Sequence, residues 1–348
     1  MIAGPLIVIG VLVAGFIFLK DSSAPKLVIV VVAIIWGVGG TVALYLLAAT
    51  YVSKLRLSSQ RKIAPVIFVG PAVVLLGFFL VYPTIETLYL SFFDATSSKF
   101  VGLKNYVFAL TDPSMTESFR NNALWLVLGT GFAVLFGLII AAMAERTKRW
   151  FELTVKSLIF MPMAISMVGA SIIWLFVYAY RPPGNPQIGI LNAVWAALGG
   201  EPVAWLLKGP LNTLLLIVIL VWIQTGFAMI ILSAALKGVP TDLLDAGSID
   251  GANELQIFFR ITIPYIRGTI IMVTTTIVIF TLKVFDIVLT MTGGNYGTQV
   301  IANAYYAQEF QSFQPGRASA IAIILLILVT PVMWYNLRNF RGQTEAFK

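Results

Sequence analysis

Pro240 to Pro264 reads PTDLLDAGSIDGANELQIFFRITIP, a polar and patterned stretch in a chain that is otherwise mostly soluble in lipid. Apolar runs of about 20 residues, the length that crosses a bilayer, precede and follow it. It must therefore emerge on one face of a membrane. Within it, Thr241 is expected to cap a short helix whose first turn carries Asp242, an acid at the positive end of the helix dipole. Asp250-Gly251 then breaks that helix and caps a second one. In the second, Leu255, Phe258, Phe259 and Thr262 recur at i, i+3, i+4 and i+7 until Pro264 is expected to stop it. The small residues Ala246, Gly247, Gly251 and Ala252 permit another backbone to come close, and Phe258 and Phe259 are placed to anchor the loop to its own bundle. By local pattern alone, an ordinary interfacial helix pair between two spans fits equally well.

Composition agrees with a membrane setting: 59% of residues are hydrophobic and 11% charged, with a mean hydropathy of +0.92. The charges fall in short clusters between long uncharged runs, so no segment can form a separate water-soluble core. The expected fold is an all-α polytopic membrane helix bundle. Windows of about 19 residues give eight spans, at 2–19, 27–50, 64–85, 123–143, 158–180, 211–236, 268–291 and 317–337. The first is read as a membrane span and not a cleaved signal, since Met1-Ile2 offers no basic n-region. Eight crossings put both termini on one side. That side carries fourteen of the Lys and Arg residues assigned to loops and the other eight, which places the termini and the 240–264 loop in the cytoplasm. The basic stretch RLSSQRK reads as a cytoplasmic linker, dividing a two-helix N-terminal extension, 1–62, from a six-helix core, 63–348. Outer loops 92–122 and 181–210 read as small caps.

The net charge of +8 sits beside spans, where it sets orientation in membrane lipid, and so argues against nucleic acid as a partner. Cysteine and histidine are absent, which removes disulfides, thiolate chemistry, imidazole bases and the usual zinc ligands. No metal site is expected, and a membrane-embedded enzyme has little to catalyse with. No GxxxxGK[ST] sequence occurs, so this chain carries no nucleotide-hydrolysing loop.

Asp245-Ala246-Gly247, followed by Asp250-Gly251-Ala252 and then Phe259, Ile261 and Pro264, resembles the "EAA" signature of permease subunits of bacterial ATP-binding-cassette importers. Two departures are visible: Asp245 stands where Glu is usual, and Gly268 where many relatives have a second proline. The resemblance covers roughly Ile63 to the C-terminus and implies a type I importer permease fold. It also implies that the loop is a coupling helix seated in a cytoplasmic ATPase subunit. The implied partners are a second permease, two ATPase subunits that bind the ATP and magnesium, and an extracytoplasmic sugar-binding protein. The chain itself then needs no cofactor. Gly102-Leu103-Lys104-Asn105-Tyr106, Asn121-Asn122, Thr292-Gly293-Gly294 and Thr298 resemble segments of carbohydrate-importer permeases. The stretch GGNYGTQVIANAYY at 293–306 is similar to permeases of α-glucoside importers, and the extra N-terminal spans suit the maltose type. An inner-membrane location follows.

Candidate pathway residues come from charged and polar groups inside spans. Lys283 and Asp286 lie three apart in the seventh span, where one helical face would let each neutralise the other. They line a polar sugar path or form a structural ion pair. Gln224, Thr225 and Phe227 in the sixth span offer an amide, a hydroxyl and a ring face, suited to sugar or, for Gln224, to an interhelical hydrogen bond. Trp125, Trp150, Trp195, Trp205 and Trp334 are expected in an interfacial belt, and Gly129, Gly137 and Gly169 at helix contacts. The rival class is an ion-gradient-driven secondary transporter. It predicts intramembrane carboxylates and an internal repeat, whereas Asp286 is the lone mid-span acid and no repeat is visible.

Overall fold

The computed structural model describes residues 3–346, with side chains described from 7 to 335 and at Arg338. Among these the chain is helical, and its one extended pairing is an isolated bridge between Phe93 and Phe100. Two compact units are present, Met1–Glu86 and Thr87–Lys348.

The first unit opens with helices Ala3–Asp21 and Lys26–Ser53, joined by a four-residue turn. They touch where side chains are missing: a Cβ on Gly15 would meet the Trp36 ring at 2.0 Å and one on Gly40 would meet Leu12 at 2.6 Å. Trp36 Nε1 donates to the Leu12 carbonyl at 3.0 Å, which settles the one polar atom of that contact. Helix Leu57–Leu76 follows, and Tyr45 packs on Phe68 with ring centroids 5.4 Å apart. The stretch expected as a linker is therefore helical from Leu57 onward. Most apolar side chains of this unit are exposed, as lipid contact requires.

The second unit is organised around helix Leu211–Lys237, the central helix, which buries Leu216, Ile219, Leu220, Met229 and Leu232 completely. In lipid, apolar side chains gain nothing by leaving solvent, so close van der Waals approach must hold helices together. Glycines supply it. A Cβ on Gly137, in helix Gly131–Ala144, would lie 2.5 Å from Ala228 Cβ and 2.9 Å from Met229 N. One on Gly226 would lie 2.5 Å from the Ile159 carbonyl, and one on Gly129 2.8 Å from Leu220. The expectation that Gly129 and Gly137 serve packing is met. Gly169 instead sits over Ser166, whose hydroxyl caps the helix there by accepting from Gly169 N at 3.1 Å.

Six helices of the described residues are long and apolar enough to cross a membrane, and a bent pair makes up to seven. The first expected span, 2–19, begins outside the described residues, and from Ala3 onward it is helical. The fifth expected span, 158–180, is not one helix: Arg149–Ala164 and Met167–Val177 meet at 104°. Pro162 tightens the first helix into a 3-10 turn, and Ser166 starts the second. Trp125 also departs from the belt. It lies wholly buried in the core with Leu216 and Ile287, whereas Trp150, Trp195 and Trp334 are exposed.

Candidate functional site

The loop folds as helix Thr241–Ile249, a reversal, and a return helix that runs from Glu254 to Leu282. Thr241 is the first helical residue and caps nothing; Pro240 holds the cap position with φ −59° and ψ 132°, an extended setting that proline favours. At the other end Gly251 adopts φ +83°. Its N–H reaches the Ser248 carbonyl at 3.1 Å, and Ala252 N reaches that of Gly247 at 3.0 Å. This paired closure is a Schellman motif, which needs a left-handed residue at the position Gly251 holds. The second helix is then capped by Asn253, not by Asp250-Gly251. Asn253 Oδ1 accepts from Gln256 N at 2.9 Å, and Gln256 Oε1 accepts from Asn253 N at 2.8 Å, a capping box.

Pro264 does not end the return helix. A π turn over Phe258–Thr262 closes with Ile263 N on the Phe258 carbonyl, so the ladder widens just ahead of the proline. The missing proline N–H is absorbed by that shift in register, and the helix continues.

Asp245, Ala246, Asp250, Gly251 and Pro264 are exposed, and Ala252 is half-buried. Gly247 is buried for a reason internal to the chain: its Cβ would meet Ile261 Cδ1 at 2.6 Å and Ile257 Cγ1 at 3.4 Å. It lets the loop helix lie against the return helix. The outward surface thus combines small residues with the 86% exposed Ile249 and the 68% exposed Leu255. Phe258 and the more exposed Phe259 line a cleft of about 360 Å³ with Leu135, Ile139 and Met143. Arg146 closes that side with a 2.6 Å ion pair to Glu254.

Beneath the loop lies a charged cluster that sequence reasoning missed. Lys156 donates to Glu145, Glu152 and Ser233, each at 2.5 Å, which uses all three protons of its ammonium. Ser233 in turn donates to Glu145. Lys237, the last residue of the central helix, donates to Glu152 at 2.6 Å and lies 3.3 Å from Glu145. Burial alone would raise the Glu145 carboxyl, but hydrogen bonds from Lys156, Ser233 and Lys237 outweigh it and hold the group below the ordinary carboxylate value. The i, i+4 spacing of Glu152 and Lys156 was readable in the sequence. Their meeting with Glu145 and Lys237 requires the fold.

Lys283 and Asp286 do not share a helical face. The return helix ends at Leu282, Lys283 to Phe285 is unwound, and a short helix starts at Asp286. Lys283 is exposed, Asp286 half-exposed, and no ion pair joins them. Gln224 is buried without a hydrogen-bond partner, Thr225 donates to the Val221 carbonyl at 2.6 Å, and Phe227 is half-buried among core residues. The interhelical bond considered for Gln224 is absent.

On the opposite side, the asparagines act as braces. Asn121 donates to the Gly297 and Gln299 carbonyls at 2.9 and 2.8 Å, and Asn122 accepts from Ile301 N at 2.8 Å. Asn212 donates to the Tyr296 carbonyl at 2.7 Å. Together they pin the 292–300 loop, where Gly293, Gly294 and Gly297 take positive φ. Asn105 likewise ties the carbonyls of Ser91 and Phe93.

Residues 133–339 match the family model described as "Binding-protein-dependent transport system inner membrane component". The chain belongs to that family. The permease is 56% identical over 278 residues to the "Osmoprotective compounds uptake permease protein GgtC" of Synechocystis sp., covering 80% of this chain and 99% of that one. It is 49% identical over 289 residues to the "Alpha-glucoside transport system permease protein AglF" of Rhizobium meliloti, covering 83% and 85%. In structure the permease superposes with a TM-score of 0.70, at 21% identity, on a chain of a bacterial ABC transporter "involved in the import of the acidic polysaccharide alginate". That match covers 81% of this chain and 96% of the other, and it gives the fold as that of an ABC importer permease.

Proposed function

We propose that the permease is the membrane-spanning half of an ATP-driven importer of α-glucosides, working with a second permease, two ATPase subunits and a sugar-binding protein outside. The 240–264 loop carries the proposal. It is a short helix closed by a Schellman turn and followed at once by a capped return helix, and the two project Ile249 and Leu255 from a frame of small residues. Such a rigid knob suits a cleft with an apolar floor. Asp242, Asp245 and Asp250 around it call for a basic rim on the ATPase partner. ATP and magnesium bind in that partner, and this chain contributes movement. As the two ATPase subunits close, the loop is displaced, and the attached helices open the path outward. Only a difference in docking energy between the two ATPase states can drive this. Both termini then lie in the cytoplasm, on the loop's side.

Gln224 is the pathway residue we favour, because its amide makes no side-chain hydrogen bond and yet is not among the sealed, unpartnered polar atoms, so a sugar hydroxyl or water can reach it. Thr225 and Phe227 flank it. Uptake of osmoprotective compounds is the second reading, favoured by the greater identity to the Synechocystis protein. In proteoliposomes containing the assembled complex, substrate-loaded binding protein should stimulate ATP turnover with α-linked glucosides and not with β-linked ones. Gly251→Trp should leave the permease inserted and abolish the stimulation. Normal stimulation in that variant would refute docking through this loop.

A further inference from the structure

We infer that Glu145, Glu152, Lys156, Ser233 and Lys237 form a positioning cluster that transmits movement of the loop to three helices at once, an inference that rests on the coupling role proposed above. The helix Gly131–Ala144 ends into Glu145, the helix Arg149–Phe160 supplies Glu152 and Lys156, and the central helix supplies Ser233 and Lys237. Two ammonium groups meet two carboxylates, so the cluster is neutral, and every partner is bonded at least twice. Side-chain exposures of 10% for Glu152, 11% for Lys156 and 18% for Glu145 leave water little access. Neutral, and shielded from water everywhere except at Lys237, the cluster ties the three helix ends to one another.

Its link to the loop is short. Lys237 is the last residue of the central helix, and Gly238, Val239 and Pro240 alone separate it from the loop helix at Thr241. Val239 is buried and Pro240 is stiff, so displacement of the loop helix is delivered to Lys237 with little slack. Lys237 is also the cluster's half-exposed member, with 53% of its side chain accessible. Its own charge is half in solvent, and its replacement leaves Glu145 and Glu152 to share the Lys156 ammonium. A cluster that served only to hold helices together would affect stability and assembly, and not how much substrate moves per ATP.

The test uses the assembled complex in proteoliposomes with saturating binding protein and α-glucoside. Lys237→Met is expected to assemble and keep basal ATPase activity, while substrate transported per ATP falls about 2- to 30-fold, the range of coupling effects seen for residues between sites. Lys237→Arg should restore the ratio. Ser233→Ala, which leaves every charge in place, should show a smaller loss and serves if Lys237→Met fails to assemble. An unchanged ratio in both variants, with or without a fall in thermal stability, would overturn the inference and leave the coupling role standing. A wild-type complex with no stimulated turnover would overturn both.

Discussion

Gly251 gives the sharpest prediction, because its constraint is one of backbone conformation and not of space. A Cβ there would meet nothing within 4 Å, yet φ is +83°. A side chain in the left-handed region costs about 1–2 kcal/mol, equivalent to a factor of about 5–30 in the population of the closed loop. Because a partner that binds only the closed form sees its affinity fall by that fraction, 5–30-fold is the ceiling for Gly251→Ala. Asn, which tolerates the left-handed region, should lose least, and β-branched Val should lose most. The assay is titration of detergent-solubilised permease with ATPase subunit, followed by binding-protein-stimulated ATP turnover. The order Gly, Asn, Ala, Val in apparent affinity is expected. Val matching wild type would refute the reasoning, as would Asn and Val losing equally, since side-chain bulk and not φ would then be decisive.

Gly137→Leu should drive the two helices apart at Ala228, costing about 1–3 kcal/mol and lowering the thermal midpoint of the purified complex by several degrees or preventing its assembly. Asn122→Ala strands the Ile301 N–H and should cost about 1–3 kcal/mol, read as lower thermal stability with the ATPase docking affinity unchanged. Since the folded Glu145 carboxyl lies below its unfolded value of about 4.3, its stabilisation is present above that pH and is lost as pH falls through the folded value. Glu145→Gln should therefore flatten the acid limb of the stability–pH profile; an unchanged slope would assign that limb to other groups. Gln224→Leu should leave assembly intact and raise the substrate concentration for half-maximal uptake. Unaltered uptake would remove Gln224 from the pathway.

The architecture was legible where a single residue type dictates geometry. Apolar runs gave the central helix at 211–236 against an observed Leu211–Lys237, and Asp250-Gly251 gave the reversal in the loop. Capping is ambiguous in sequence because Thr241, Asp250 and Asn253 are all competent caps, and the Gln256 side chain selects Asn253. Pro264 misled because a proline's missing donor can be absorbed by a π turn that periodicity does not announce. An unbroken helix would put Lys283 and Asp286 on one face, while the unwound turn between them depends on the fold around it. The charged cluster was hidden for a related reason. Its members look like ordinary basic and acidic loop residues until three helix ends converge.

The most direct test of the central claim is a crosslink from the loop's tip. The permease has no cysteine, so Ile249→Cys gives it a single thiol, on an 86% exposed side chain. A short bifunctional photoprobe on that thiol, in membranes containing the whole complex, should capture an ATPase subunit, with a yield that changes when ATP is added. Capture of lipid alone, while substrate uptake continues, would contradict the account.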